Sequence, residues 1–193
     1  MSDPARSWDV LLVGGASGVG KTSISRQLAR YFDLPMGEVD DYVVILKQMT
    51  TPEQQPILHY WDTHAEGMEW TAEKIVELTI SVIQVMAPGI EAVIDNHLEG
   101  NAPVLLEGDY LLPSLVQHDK RVRGVFLYEP DERQIVANYL QREPDEDEQT
   151  GRARVSWLLG EWFKTEAEKA GALALTARPW ETLLDRIVEG LGE

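Results

Sequence analysis

The 193-residue sequence contains no cysteine. A disulfide framework and a thiolate metal site are both excluded, and this count alone leaves the redox compartment open. Basic residues are scarce: 17 Lys and Arg stand against 33 Asp and Glu, a formal net charge of −16. That balance opposes binding of nucleic acid or anionic lipid over a broad surface, so a small molecule is the expected partner. No run approaches the ~18 consecutive apolar residues of a membrane span. The first six residues also lack a basic stretch followed by an apolar one. The expectation is a soluble cytoplasmic protein with no membrane or nucleic-acid partner. Without repeats or low-complexity tracts, the length suits a single domain over residues 1–193.

What the chain does have is Gly15-Ala16-Ser17-Gly18-Val19-Gly20-Lys21-Thr22, a full match to G-x-x-x-x-G-K-[ST], directly after the apolar run Val10-Leu11-Leu12-Val13. Glycines in such a loop let successive backbone N–H groups turn inward around a β-phosphate. The lysine bridges β- and γ-phosphates, and the Ser/Thr hydroxyl ligates Mg²⁺. The helix that follows adds the positive end of its dipole. Residues 23–32 read as that helix, with Ile24, Leu28 and Tyr31 at helical spacing. The loop residues Gly15 to Thr22, with Ser23, are the expected nucleotide contacts, and ATP with Mg²⁺ is the expected cofactor.

The remaining pattern alternates strands with helices. Residues 8–13 read as a buried strand, and a short strand before Asp40 and Asp41 would bring them to the sheet's carboxyl edge, where open parallel sheets bind ligands. Residues 71–86 form an amphipathic helix capped by Thr71. Pro88-Gly89 is expected to end it, and residues 90–98 to form a second helix. Residues 103–108 are a short apolar strand closed by Glu107 and Gly108, with residues 122–128 as its expected partner. Helices at 131–141 and 152–170, a strand at 172–176 and a helix at 180–191 complete the chain. The sum is a three-layer α/β fold, a doubly wound parallel sheet of about five strands, with residues 143–154 as a candidate lid.

Chemistry is expected at four places. Asp40 and Asp41 lie where the γ-phosphate should sit, one to accept an acceptor hydroxyl's proton and the other to hold Mg²⁺ through water; helix-start acids are the alternative. Glu107, with Asp109 behind it, is the acid expected to orient Mg²⁺. Arg142, Arg152 and Arg154 flank the acidic insert and could fold over bound triphosphate, Arg142 first among them because it feeds the lid. Arg152 and Arg154 are equally suited to pairing with Asp145, Glu146, Asp147 and Glu148. Arg178, just before Pro179, could border the adenine. The acceptor region, between Asp40 and Glu99, has only Lys47 and Lys74 as cations, against Asp62, His64, Glu66, Glu69, Asp95, His97 and Glu99. That poverty favours a neutral or cationic acceptor, since a phosphorylated one would call for arginines. Tyr60, Trp61 and Trp70 could wall a ring-bearing acceptor. His59 and His64, five apart, share no helical face, and no metal site is assigned to them.

The phosphate loop with its flanks, Val13 to Ser23, then Asp40-Asp41-Tyr42, then Leu105-Leu106-Glu107-Gly108 with Leu112-Pro113, together resemble the 2-phosphoglycerate kinase-like P-loop kinases, in the small-molecule branch that also holds shikimate, gluconate and adenylate kinases. The resemblance implies phosphate and Mg²⁺ roles for Lys21 and Thr22, acceptor-side roles for Asp40 and Asp41, and a lid arginine at Arg142. The expected function is γ-phosphoryl transfer from ATP to a hydroxyl of a small molecule, with Lys21, Asp40, Asp41 and Arg142 catalytic and Thr22 and Glu107 at the metal. The alternative is a nucleotide-dependent switch or ATPase acting on a protein partner. No N-K-x-D tetrapeptide occurs, which disfavours a regulatory GTPase.

Overall fold

In a computed structural model, residues 6–64 and 70–192 are described. Glu66 and Glu69 lie outside them. The first strand, β1 (Val10–Gly15), is wholly buried and alternates between two cores. Val10 and Leu12 face one, Leu11 and Val13 the other, as the two-residue period of a strand requires. Helix α1 (Lys21–Tyr31) and the later α7 (Leu183–Leu191) cover the second core through Ile24, Leu28, Leu183, Ile187 and Leu191. Helices α4 (Ala72–Glu99) and α6 (Thr150–Ala170) cover the first through Ile83, Met86, Ile90, Leu159 and Phe163. The molecule is thus three layers, helices on both faces of one sheet. Tyr31 is not part of either core. It is half exposed, and Phe32, just past the helix end, packs edge-on against Trp8 instead.

The five strands β1, β2 (Met36–Glu38), β3 (Val104–Gly108), β4 (Val122–Tyr128) and β5 (Leu173–Thr176) are all parallel, in the order β2-β3-β1-β4-β5. The expected pairing of β3 with β4 is corrected: β1 lies between them, with Leu12 opposite Leu106 on one side and Gly124 on the other. β1 is the most completely apolar of the strands and takes the centre, where both faces and both edges are covered. The chain leaves β1 toward β2 and later crosses to β4 on the far side. The carboxyl ends of β1 and β3 consequently flank the crevice where such sheets bind ligands.

The second correction concerns α4. It runs unbroken for 28 residues through Pro88 and Gly89, rather than as two helices. Proline costs the turn one backbone hydrogen bond, but the buried stripe Val82, Met86, Ile90, Ile94 and Leu98 continues across it at four-residue spacing. Packing against the sheet outweighs the local preference. By length and composition this helix could cross a membrane, with a mean hydropathy of 1.4 over its most apolar window; here its stripe packs into the core. Thr71 caps it as expected, its Oγ accepting from the Lys74 amide at 3.2 Å.

Helix α2 (Val39–Met49) follows β2, and α3 (Tyr60–Thr63) is a single turn. Helix α5 (Glu132–Arg142) is capped by Asp131 and packs on α6 through Ile135, Tyr139 and Ala153. Short 3-10 turns cover Pro113–Gln117 and Trp180–Thr182.

Because Pro88 and Gly89 are exposed and nothing lies within 4 Å of a methyl group at Gly89, both are expected to be replaceable by alanine at a gain. Gly89→Ala should stabilise by about 0.5–1 kcal/mol and Pro88→Ala by at least as much. Thermal melting that showed either variant less stable than the parent would mean that the helix is not continuous there.

Candidate active site

The phosphate loop links the carboxyl end of β1 to the first turn of α1. Gly15, Gly18 and Gly20 adopt φ of 134°, 82° and 92°. These left-handed values turn the loop so that its amides converge, and Gly20 is doubly constrained because a Cβ there would sit 2.7 Å from the Trp180 ring. Ser17, Gly18, Val19, Gly20, Lys21, Thr22 and Ser23 line a cleft of 670 Å³. Gly15 and Ala16 do not line it. Gly15 ends β1, and the Ala16 carbonyl accepts a 2.9 Å hydrogen bond from Lys21 Nζ.

Lys21 is the buried cation of the site, with 7% of its side chain exposed, and its Nζ lies 2.5 Å from Asp109 Oδ1. Thr22 Oγ1 donates to Glu107 Oε1 at 3.3 Å across the ends of α1 and β3. Glu107 is buried, and its second oxygen, Oε2, has no hydrogen-bond partner. Burial pushes its carboxyl above the ordinary range, while Lys21 and the Thr22 hydroxyl pull the other way. An orphaned carboxylate oxygen beside a Ser/Thr hydroxyl at the mouth of a phosphate loop suits a hydrated Mg²⁺. The donor set therefore fits the expected metal, held by Thr22 and Glu107.

Asp40 and Asp41 occupy the first turn of α2, where acids complement the helix dipole. Successive helical residues point about 100° apart, and only Asp40 lines the cleft; Asp41 is turned out to solvent. Asp40 Oδ1 accepts the Asp109 amide at 3.1 Å. Gly108 makes this approach possible, since a Cβ there would lie 2.8 Å from that same oxygen. Asp40 opens to the cleft yet is hemmed in elsewhere. Partial desolvation first, and then the Asp109 charge, raise its pKa.

Arg142 and Arg178 line the cleft from the other side. The Arg142 guanidinium is held by Glu143 at 2.6 Å and lies over the Tyr139 ring. Three partners, Gln149, Arg142 and Arg152, keep the Glu143 carboxyl down at about 2. Arg152 also binds Glu143, and Arg154 binds Glu132, so neither pairs with the acids at 145–148 and neither lines the cleft. Arg178 bridges buried Glu129, at 3.6 Å, to Asn138 Oδ1 at 3.3 Å. Asn138 in turn donates to the Gly18 carbonyl at 2.8 Å, tying α5 to the loop.

The cleft's lining includes Trp180, Glu129, Asn138 and Gln141, none of which the sequence reading selected. Only the position of Trp180, right after Arg178-Pro179, could have suggested it. Among the described residues of the expected acceptor region, Asp40 alone lines the cleft. Lys47 is bound to Asp62 and Lys74 to Glu77; Asp95 pairs with His118, and His97 with the Ala102 carbonyl. Tyr60, Trp61 and Trp70 do cluster, with ring centroids 4.6–6.5 Å apart, but away from the cleft. His59 bonds the Thr50 hydroxyl and His64 stacks on Tyr60.

No known family profile matches the chain. It is 26% identical over 128 residues to a 2-phosphoglycerate kinase of Pyrococcus furiosus, a stretch covering 61% of this chain and 40% of that protein. To the 2-phosphoglycerate kinase of Methanococcus vannielii it is 28% identical over 116 residues, 55% of this chain and 37% of that one. The chain thus matches about two fifths of the length of these relatives. Among solved structures, a gluconokinase from Sinorhizobium meliloti superposes with a TM-score of 0.54 at 16% identity, covering 97% of this chain and 93% of its own. A shikimate kinase from Bacteroides thetaiotaomicron gives 0.52 at 16%, covering 95% and 98%. The fold is that of the P-loop small-molecule kinases.

Because burial raises the Glu107 carboxyl, it holds its proton to higher pH when folded than when unfolded. Ionisation therefore weakens the fold as pH rises through the folded value. Glu107→Gln is expected to melt above the parent at pH 7, by about 1 kcal/mol as is common for relieved active-site strain. The difference should close toward pH ~4, where the parent side chain is itself neutral. A melting difference independent of pH would show that the gain does not come from the charge.

Proposed function

We propose that this protein transfers the γ-phosphoryl group of ATP to a hydroxyl of a small molecule, and that neutral or cationic acceptors are favoured. The observation that carries the proposal is the convergence of Lys21, Thr22, Glu107 and Asp40, from three separate segments, on one cleft at the carboxyl edge of the sheet. Bound Mg·ATP supplies the electrophilic phosphorus and the leaving group. Lys21 offsets the charge that develops on the phosphoryl oxygens, and Thr22 with Glu107 holds the metal. The loop residues, with Arg178 and Trp180 on the far wall, bind and orient the nucleotide.

Asp40 is the general base. Its raised pKa makes the carboxylate a better proton acceptor than an ordinary aspartate, and its hydrogen bond from the Asp109 amide fixes its orientation. Asp41 points away and takes no part. Arg142, at the root of the lid over residues 143–154, leaves Glu143 to complete the phosphate's shell when the lid closes, and closure excludes water. The relatives' name suggests a phosphoglycerate as acceptor. Such an acceptor would bring its negative charges against Asp40 and Asp109, where Lys21 is the one cation among the described residues of that side of the lining. A soluble cytoplasmic enzyme without nucleic-acid or membrane partners accords with the acidic surface.

Incubation with Mg·ATP and a panel of neutral, cationic and phosphorylated hydroxyl compounds, followed by ADP release and product mass, tests the proposal. A product heavier by one phosphoryl group is expected from a neutral or cationic compound; ADP release with no phosphorylated product would sink the kinase reading. Lys21→Ala should lower turnover by about 10²-fold or more with the fold intact. Asp40→Asn should cost about 10²–10⁴-fold, and Asp41→Asn no more than a few-fold. Equal losses in the two aspartate variants would remove Asp40 from the base's role.

A further inference from the structure

We infer that Asp109 is an internal competitor for phosphate at Lys21, so that nucleotide binding exchanges the Lys21–Asp109 contact for Lys21–phosphate and releases a carboxylate to the acceptor side of the cleft. The inference rests on the reading of this cleft as a nucleotide site. The contact is the closest ion pair in the cleft, Nζ to Oδ1 at 2.5 Å, and both side chains line it. Lys21 also donates to the Ala16 carbonyl. Its ammonium is thus partnered by an anion of the chain itself before any ligand arrives.

The two partners are unequally placed. Lys21 is 7% exposed and Asp109 26%. A buried ammonium needs another anion when it gives one up, whereas a carboxylate at the cleft surface can be rehydrated. Exchange for a phosphate meets both conditions. Asp109 need not move its backbone to leave, because its amide is held by Asp40 Oδ1. The other cations of the cleft are already engaged, Arg142 by Glu143 and Arg178 by Glu129. Among the described residues of the lining, Lys21 alone offsets the group formed by Asp40, Glu107 and Asp109.

Two consequences follow from the exchange. The apparent affinity for nucleotide is reduced by the fraction of molecules whose Lys21 is occupied by Asp109. And the Asp40–Asp109 pair acquires its full negative potential only after Lys21 has turned to phosphate, so an acceptor bearing hydroxyl donors or a positive charge finds its site completed second. Substrates then add in order, nucleotide first.

Calorimetric titration of Mg·ADP into the parent, Asp109→Asn, Lys21→Met and the double variant tests this. Asp109→Asn should bind about tenfold more tightly than the parent. In the Lys21→Met background the same change should matter by less than about twofold, since the contact is already absent. Unchanged or weaker binding by Asp109→Asn, with a cooperative melt, would overturn the inference. An equal gain in both backgrounds would also overturn it, because it would show a carboxylate repelling polyphosphate through space. Should Asp109→Asn not melt cooperatively, Asp109→Ser supports the same comparison. Lys21→Met binding ADP as well as the parent would instead remove the nucleotide-site reading itself.

Discussion

A single buried ammonium at the carboxyl edge of the sheet is the constraint around which this molecule is arranged. Lys21 sits in the first turn of α1, where the helix dipole is positive and a cation is least welcome. Left alone there it would cost several kcal/mol. Around it stand the Ala16 carbonyl, Asp109 at 2.5 Å, and the carboxylates of Glu107 and Asp40. Each of these is delivered by a strand end or the turn after it. The site is therefore an electrostatic consequence of sheet order: only with β3 beside β1 does the acid that ends β3 come opposite the loop that ends β1.

The two cores make that arrangement rigid enough to hold groups in unfavourable states. β1 is buried on both faces, and β3 likewise, so packing fixes the backbone that presents Glu107 and its unpartnered oxygen to the cleft. On the other wall the connection runs through polar contacts instead. Glu129 holds Arg178, Arg178 touches Asn138, and Asn138 grips the Gly18 carbonyl. One wall is fixed by packing and the other by an ion pair and two hydrogen bonds that run through Asn138 of α5, the helix that leads into the acidic loop, to the phosphate loop.

The sequence spoke most clearly where spacing is dictated by backbone geometry. The phosphate loop, the Thr71 cap and the alternation of strands with helices are legible because glycine and hydroxyl side chains act there on their own neighbours in the chain. Pro88-Gly89 misled for the same reason: its local signal is real, but the stripe from Val82 to Leu98 packs on a sheet remote in sequence. That β1 lies between β3 and β4 is not legible in either strand, because strand order is a property of crossovers. Asp40 and Asp41 were indistinguishable until the start of α2 fixed their directions. Trp180, and the Glu129–Arg178–Asn138 chain, join elements 40 or more residues apart through no repeating pattern. The Tyr60–Trp61–Trp70 cluster had the composition of a ligand wall without the position of one.

The acceptor is where fold and likeness carry least. In the proposed transfer the phosphate loop accounts for the donor, since the loop, its lysine and its hydroxyl would meet only the nucleotide; the acceptor would meet a different set of side chains, which vary on a common scaffold. Here that set begins with Asp40 and Asp109, two carboxylates joined through the Asp109 amide, where burial first and then the Asp109 charge raise the cost of ionising Asp40. An acceptor that brought further negative charge would add a third repulsion at the moment when Lys21 is engaged with phosphate. One that brought hydroxyl donors or a positive charge would relieve the existing one. In the proposed reaction, the pair that orients Asp40 as the base thus also sets the sign of what can approach it.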